Sequence, residues 1–281
     1  MGWTLVTGAS GGIGAELARQ AAVHGEDVVL VARSKDKIEK IAEGLNSFFG
    51  VRCACYAQDL TEKDAAVKLH KWCSEQGIQV DNLINNAGFG DQTAFLDADW
   101  DRQYAMVQLN VVALMQLCYE FGRDMRERGE GHILNLSSVA AFMAGPYMSL
   151  YYATKGYVLQ FSEALSYELR GTGVTVTALC PGPTSTGFER NAHMGGSLMF
   201  QAHPQSAADV AMYGYRAMLS GKPVAYHSPT THVANVLARL LPRNVMTAVA
   251  AKVDGKPQPK SQPQPKPFAA KGTESKGGGL A

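Results

Sequence analysis

The segment Leu150–Tyr157 reads LYYATKGY, two adjacent tyrosines with a lysine one helical turn further on. A phenol ionises at about 10, so an unassisted tyrosine is a weak proton donor and acceptor near neutrality. An ammonium close by favours the phenolate and brings that value down, as an acid/base working near neutral pH requires. Lys155 follows Tyr151 by four positions and Tyr152 by three. Both spacings place the lysine on the tyrosine's side of a helix, so spacing leaves either phenol as the reactive one. Upstream, ILNLSS (Ile133–Ser138) ends an apolar run on two hydroxyls.

A second constellation is TGASGGIG, Thr7–Gly14, between an apolar run and a helix-like segment. Glycines there let the backbone approach a pyrophosphate at the positive end of a helix. Gly8, Gly12 and Gly14, with Ser10 and Ile13 among them, form the candidate phosphate-binding turn. The next apolar run ends VLVARSKDK, with Ala32 and Arg33 where a carboxylate would hold a ribose 2′-hydroxyl. A 2′-phosphate prefers a guanidinium fork and repels carboxylate, so Arg33, helped by the Ser34 hydroxyl, predicts NADP(H).

These groups need a scaffold, and the chain alternates strand-like and helix-like segments. TLVTG, Asp27–Ala32, RCACYA, VDNLINNAG, GHILNLSS and GVTVTALCPG are separated by helical patterns, the longest at about Asp99–Glu127 and Leu150–Arg170. Continuous rather than alternating apolar runs mark strands covered on both faces. The pattern predicts an α/β fold, a doubly wound, mostly parallel sheet of about seven strands with helices on both faces. No internal repeat is visible.

Taken in order, TGASGGIG, Asp59–Leu60, NNAG (Asn85–Gly88), the asparagine of QLNVVAL, the serine pair, YYATK and PGPTST resemble the short-chain dehydrogenases/reductases with a single Rossmann domain. The resemblance spans about Trp3–Tyr226 and implies a carbonyl reductase or alcohol dehydrogenase. In that family the catalytic serine stands thirteen residues before the tyrosine of Y-x-x-x-K, which matches Ser138 with Tyr151 and leaves Tyr152 as a packed neighbour. Tyr151 would then be the general acid/base. Lys155 would lower its pKa and hold the nicotinamide ribose, Ser138 would hydrogen-bond the carbonyl oxygen, and Asn110 would hold a water linking Lys155 to solvent. Asp59 and Leu60 would meet the adenine, and Asn86, Ala87 and Gly88 would form the turn beneath the adenosine. Pro181, Gly182, Thr184 and Thr186 would lie along the nicotinamide and pyrophosphate. The local wording looks most like a broad, mainly microbial, general-purpose branch. Gly11 stands where NADP-preferring members often carry a basic residue, so that preference leans on Arg33.

The substrate side maps to about Ser185–His203, with Phe188, Met194, Leu198, Met199 and Phe200, facing Phe89 and Phe142–Met148. These apolar walls, with few charges beyond Glu189 and Arg190, suit an apolar carbonyl. A 3-ketoacyl-thioester reductase is the competing enzyme reading, and a catalytically idle NADP-binding sensor or scaffold the non-enzymatic one.

Composition bounds the remainder. The chain has 281 residues, 46% of them hydrophobic, enough for one large core. Its net charge of +1 is uneven. Lys252–Ala281 holds six lysines against Asp254 and Glu274, a net of +4, leaving 20 basic and 23 acidic residues, a net of −3, elsewhere. The folded part is thus no electrostatic nucleic-acid binder. Cys53 and Cys55 alternate in a strand and point to one face as small buried hydrophobes, and the five unpaired-looking cysteines suit a reducing compartment. The seven histidines form no ligand cluster, so no metal is expected. The N-terminus enters an apolar strand at once, so a cytoplasmic protein without a signal peptide is expected.

Residues 1–228 form the expected Rossmann and catalytic domain. Residues 229–255, apolar but broken by Arg239, Pro242 and Arg243, form a helical extension too interrupted to span a bilayer. It could cover the fold, pair with another copy, or lie on a membrane surface. Residues 256–281, rich in Pro, Lys and Gly, read as a disordered tail. The resemblance implies a homodimer or homotetramer through the helices at Asp99–Glu127 and Leu150–Arg170.

Overall fold

In the computed structural model, which describes residues 2–192, 194 and 204–257, a seven-stranded parallel sheet forms the centre. Its strands are β1 (Trp3–Thr7), β2 (Asp27–Ala32), β3 (Cys53–Ala57), β4 (Val80–Asn85), β5 (Gly131–Leu136), β6 (Val174–Cys180) and β9 (Val224–Tyr226), in the order β3-β2-β1-β4-β5-β6-β9. A separate two-strand ladder joins β7 (Thr184–Ser185) to β8 (Gln205–Ser206). The strand order reverses between β1 and β4, and the crevice at the carboxyl ends there is where doubly wound sheets bind ligands.

Neighbouring residues of each strand point to opposite faces, and both faces are covered. Leu5, Leu83 and Ile133 pack in one core with Leu69, Leu117, Phe121 and Met125. Val6, Ile84 and Leu134 pack in the other with Leu17, Ala21, Val210 and Met218. This is why the runs are continuously apolar. The helices responsible are α1 (Gly12–Val23), α2 (Lys35–Phe49), α3 (Ala65–Glu75), α4 (Trp100–Val107), α5 (Leu114–Arg128), α6 (Ser149–Glu168), the single turn α7 (Phe188–Asn191), and α8 (Ala207–Leu219). Two more follow the sheet, α9 (Pro229–Leu240) and α10 (Arg243–Asp254), separated at Pro242.

The structure departs from the sequence reading at two places. The long helical stretch from Asp99 is interrupted by a π-helical segment, Gln108–Ala113, in which Asn110 is buried. Cys53 and Cys55 do share a face, but edge-strand β3 leaves both only half-buried against the α2 side. Within Thr184–His203 the structure describes one helical turn and a two-residue strand. His193, Leu198, Met199, Phe200 and His203, like the tail from Gln258, lie outside the described residues.

Candidate active site

The glycine turn between β1 and α1 is built by close approach. Gly8 and Gly12 have φ of 66° and 56°, a left-handed backbone that glycine adopts without penalty. A Cβ on Gly14 would stand 2.3 Å from the Gly8 carbonyl oxygen, so glycine is required for the helix to start against the turn. At Gly11 a Cβ would meet nothing within 4 Å. Asn86 braces the turn from β4, its Nδ2 donating to the Thr7 carbonyl at 2.9 Å, while the amides of Asn86 and Ala87 donate to Thr7 Oγ1.

This turn opens on a cleft of about 930 Å³ along the carboxyl ends of the strands. Gly8, Ser10, Gly12, Ile13, Gly14, Arg33, Ser34, Asp59, Leu60, Asn86, Ala87, Gly88, Pro181, Gly182, Thr184 and Thr186 all line it. Sequence reasoning had overlooked Lys37, Gln58 and Thr61 in the same wall. Lys37 sits one helical turn beyond Ser34, so its position in VLVARSKDK was readable as a second cation beside Arg33. Arg33 is 79% exposed in its side chain and reaches Asp59 Oδ2 only at 4.0 Å, so its guanidinium is open to a ligand. Asp59 Oδ1 is engaged by the amide and hydroxyl of Thr61. Thr186 approaches the glycine turn closely, so that a Cβ on Gly12 would lie 3.1 Å from its Cβ.

The four residues expected to do chemistry lie near one another but do not line this cleft; Asn110 and Lys155 stand behind its lining residues Gly88 and Leu136. Lys155 Nζ donates to the carbonyl of Leu136, a cleft residue, at 2.7 Å and lies 5.8 Å from the centroid of the Tyr151 ring. Ser138 caps a 3₁₀ turn, Val139–Phe142, its Oγ accepting from the Ala140 amide at 3.1 Å. Asn110 is clamped: its Oδ1 accepts from the Phe89 amide, and its Nδ2 donates to the Phe89 carbonyl and to Thr154 Oγ1. Thr154 in turn donates to the Tyr151 carbonyl at 2.7 Å. Asn110 lies within the π segment and is buried there.

Burial sets the proton affinities. Desolvation pushes Tyr151 up to about 12, Ser138 opposing and the Asp254 charge adding to the rise. Burial pulls Lys155 down to about 8. Burial is the leading influence on Tyr151, while Lys155 is held at the Leu136 carbonyl.

Residues 2–195 match the family described as short chain dehydrogenase. The chain belongs to the short-chain dehydrogenase/reductase family. It is 33% identical over 183 residues to the human very-long-chain 3-oxoacyl-CoA reductase, an alignment covering 64% of this chain and 58% of that protein. A short-chain dehydrogenase from Sphingobium yanoikuyae in complex with NADPH superposes with a TM-score of 0.77 at 28% identity, covering 94% of this chain and 99% of that one. The bulky-bulky ketone specific alcohol dehydrogenase from Comamonas testosteroni gives 0.73 at 27% identity, covering 85% and 92%. Bacterial and human relatives together do not delimit the microbial branch that the local wording suggested. The family is one of oxidoreductases, and its Sphingobium member holds NADPH.

Met148, Tyr152, Ala192 and Met194 form a small apolar cluster with Met143, Tyr151 and Phe188, among the segments expected to meet substrate. Phe89 is covered by the Arg102 guanidinium at 5.1 Å. Ala250 of α10 completes the same cluster, which the sequence had not placed there. Nor is Tyr152 merely packed: its hydroxyl donates to Asp254 Oδ2 at 2.6 Å, and Gln92 Nε2 donates to the Asp254 carbonyl at 2.7 Å. Partners 102 and 162 residues apart leave no local signal in the chain.

Proposed function

We propose that this protein is an NADP(H)-dependent carbonyl reductase acting on an apolar ketone or aldehyde, or on the matching alcohol in reverse. The observation that carries the reading is that Lys155, 5.8 Å from the Tyr151 ring, stands directly behind Gly88 and Leu136 of a cleft whose wall fits a dinucleotide, with Ser138 beside Tyr151. The glycine cradle suits the pyrophosphate, and Arg33 with Lys37 suits a 2′-phosphate. When bound, NADPH supplies the hydride to the carbonyl carbon.

The chain's own residues handle the oxygen. Tyr151, holding its proton well above neutral pH, donates it to the forming alkoxide, and Ser138 hydrogen-bonds the same oxygen. Lys155, with a pKa of about 8, exchanges protons near neutrality and would hold the nicotinamide ribose. Both amide hydrogens of Asn110 are engaged by Phe89 and Thr154, so the relay water assigned to this residue binds its remaining lone pair or its main chain.

A 3-ketoacyl thioester is the second substrate reading, favoured by the human relative's name. An idle sensor is disfavoured by the intact set of four residues and the open cleft. The deciding experiment is NADPH oxidation against ketones, aldehydes, quinones and 3-ketoacyl thioesters. Turnover of a ketone or thioester supports the reading, and tight NADPH binding with no turnover of any of them would favour the sensor. The exposed Trp100, Tyr104, Met115 and Tyr119 on α4 and α5, with Tyr157 on α6, support assembly into a homo-oligomer through these helices. A cytoplasmic location belongs to the same reading.

A further inference from the structure

Helix α9 sits on the fold with its polar side inward. Thr231 and Asn235 are 2% and 8% exposed, and Asn235 Nδ2 donates to the Tyr226 hydroxyl at 3.0 Å. Val233, Val236, Leu237 and Leu240 fall at i, i+3, i+4 and i+7 and form one stripe facing outward, with Leu240 75% exposed. Leu241, at the Pro242 break, and Val245 and Val249 of α10 are exposed as well.

The charges beside this stripe have one sign. Between Pro229 and Pro257 the cations are Arg239, Arg243, Lys252 and Lys256, and the single acid, Asp254, is 1% exposed. The chain beyond Pro257 adds four lysines against Glu274. An apolar stripe flanked by cations fits the boundary of an anionic bilayer, where apolar side chains enter the acyl region and cations meet headgroups. A second copy packed on the same face about a two-fold axis would oppose cations to cations.

We propose that the outer face of α9 and α10 docks this protein on an anionic lipid surface. The docking is peripheral, since no described helix is long and apolar enough to cross a membrane. It does not depend on the reaction assigned above.

The test is co-sedimentation of the full chain with phosphatidylcholine vesicles, with and without phosphatidylserine, beside light scattering without lipid. Binding is expected to the anionic vesicles and to fall with added salt. Leu237→Ser/Leu240→Ser should abolish it while leaving folding intact, both side chains being exposed. Arg239→Ala/Arg243→Ala should weaken it about thirty-fold, at about fivefold per cation. Unchanged binding of the leucine variant would assign attachment to the lysine-rich tail and overturn the proposal. So would absence of vesicle binding, whether the protein is monomeric or a dimer that the leucine variant dissociates.

Discussion

Tyr152 donates a 2.6 Å hydrogen bond to Oδ2 of Asp254, joining the neighbour of the proposed acid to the end of α10. The carboxylate is buried, its pKa raised by desolvation and held back by that hydrogen bond. Its charge is one of the influences holding Tyr151 high, together with burial and against Ser138. A carboxylate disfavours formation of a phenolate nearby, so removing its charge lowers the tyrosine's pKa. Alcohol oxidation needs the phenolate, and its rate therefore rises with pH. In Asp254→Asn the rising limb of kcat/KM for oxidation should move to lower pH, and a pH-rate profile checks it.

The same pair makes a stability prediction. Tyr152→Phe leaves the buried carboxylate without its phenol donor and should cost about 1–3 kcal/mol. That lowers the melting temperature by about 2–4 °C per kcal/mol in a chain somewhat smaller than this one. Adding Asp254→Asn removes the unpaired charge and should recover much of the loss. Thermal denaturation of the two single variants and the double variant reads the coupling directly.

Cofactor choice is predicted to rest on β2's end. Arg33→Asp should shift preference from NADPH toward NADH by at least about tenfold, since a carboxylate repels the 2′-phosphate and accepts from a ribose hydroxyl. Lys37→Ala should weaken NADPH alone and more modestly. The ratio of kcat/KM for the two cofactors measures both. An unchanged ratio in the Arg33 variant would place recognition of the phosphate elsewhere.

The glycine turn offers an internal control. Gly14→Ala places a methyl 2.3 Å from the Gly8 carbonyl oxygen and should destabilise the protein by about 1–3 kcal/mol while weakening NADPH binding. Gly11→Ala, which meets nothing within 4 Å, should leave the melting temperature nearly unchanged.

What the chain disclosed about itself follows from range. Strands buried on both faces announce themselves through uninterrupted apolar runs such as DVVLVA, and the glycine turn through its place between β1 and α1. Residues contributed by local motifs therefore led to one cleft. Interactions between distant segments did not show. The Tyr152–Asp254 bond, the Gln92 contact to α10 and Ala250 in the apolar cluster depend on how the extension folds back. The π segment around Asn110 was hidden for another reason, because its side-chain pattern reads as continuous helix. Which way the apolar residues of α9 face was left open by the sequence, and the fold turns Val233, Val236, Leu237 and Leu240 outward.

The central claim is that Tyr151 delivers the proton, and one variant tests it. In Tyr151→Phe, NADPH binding followed by fluorescence should be nearly unchanged while kcat for carbonyl reduction falls by about 10³-fold or more. Wild-type turnover in that variant would contradict the account.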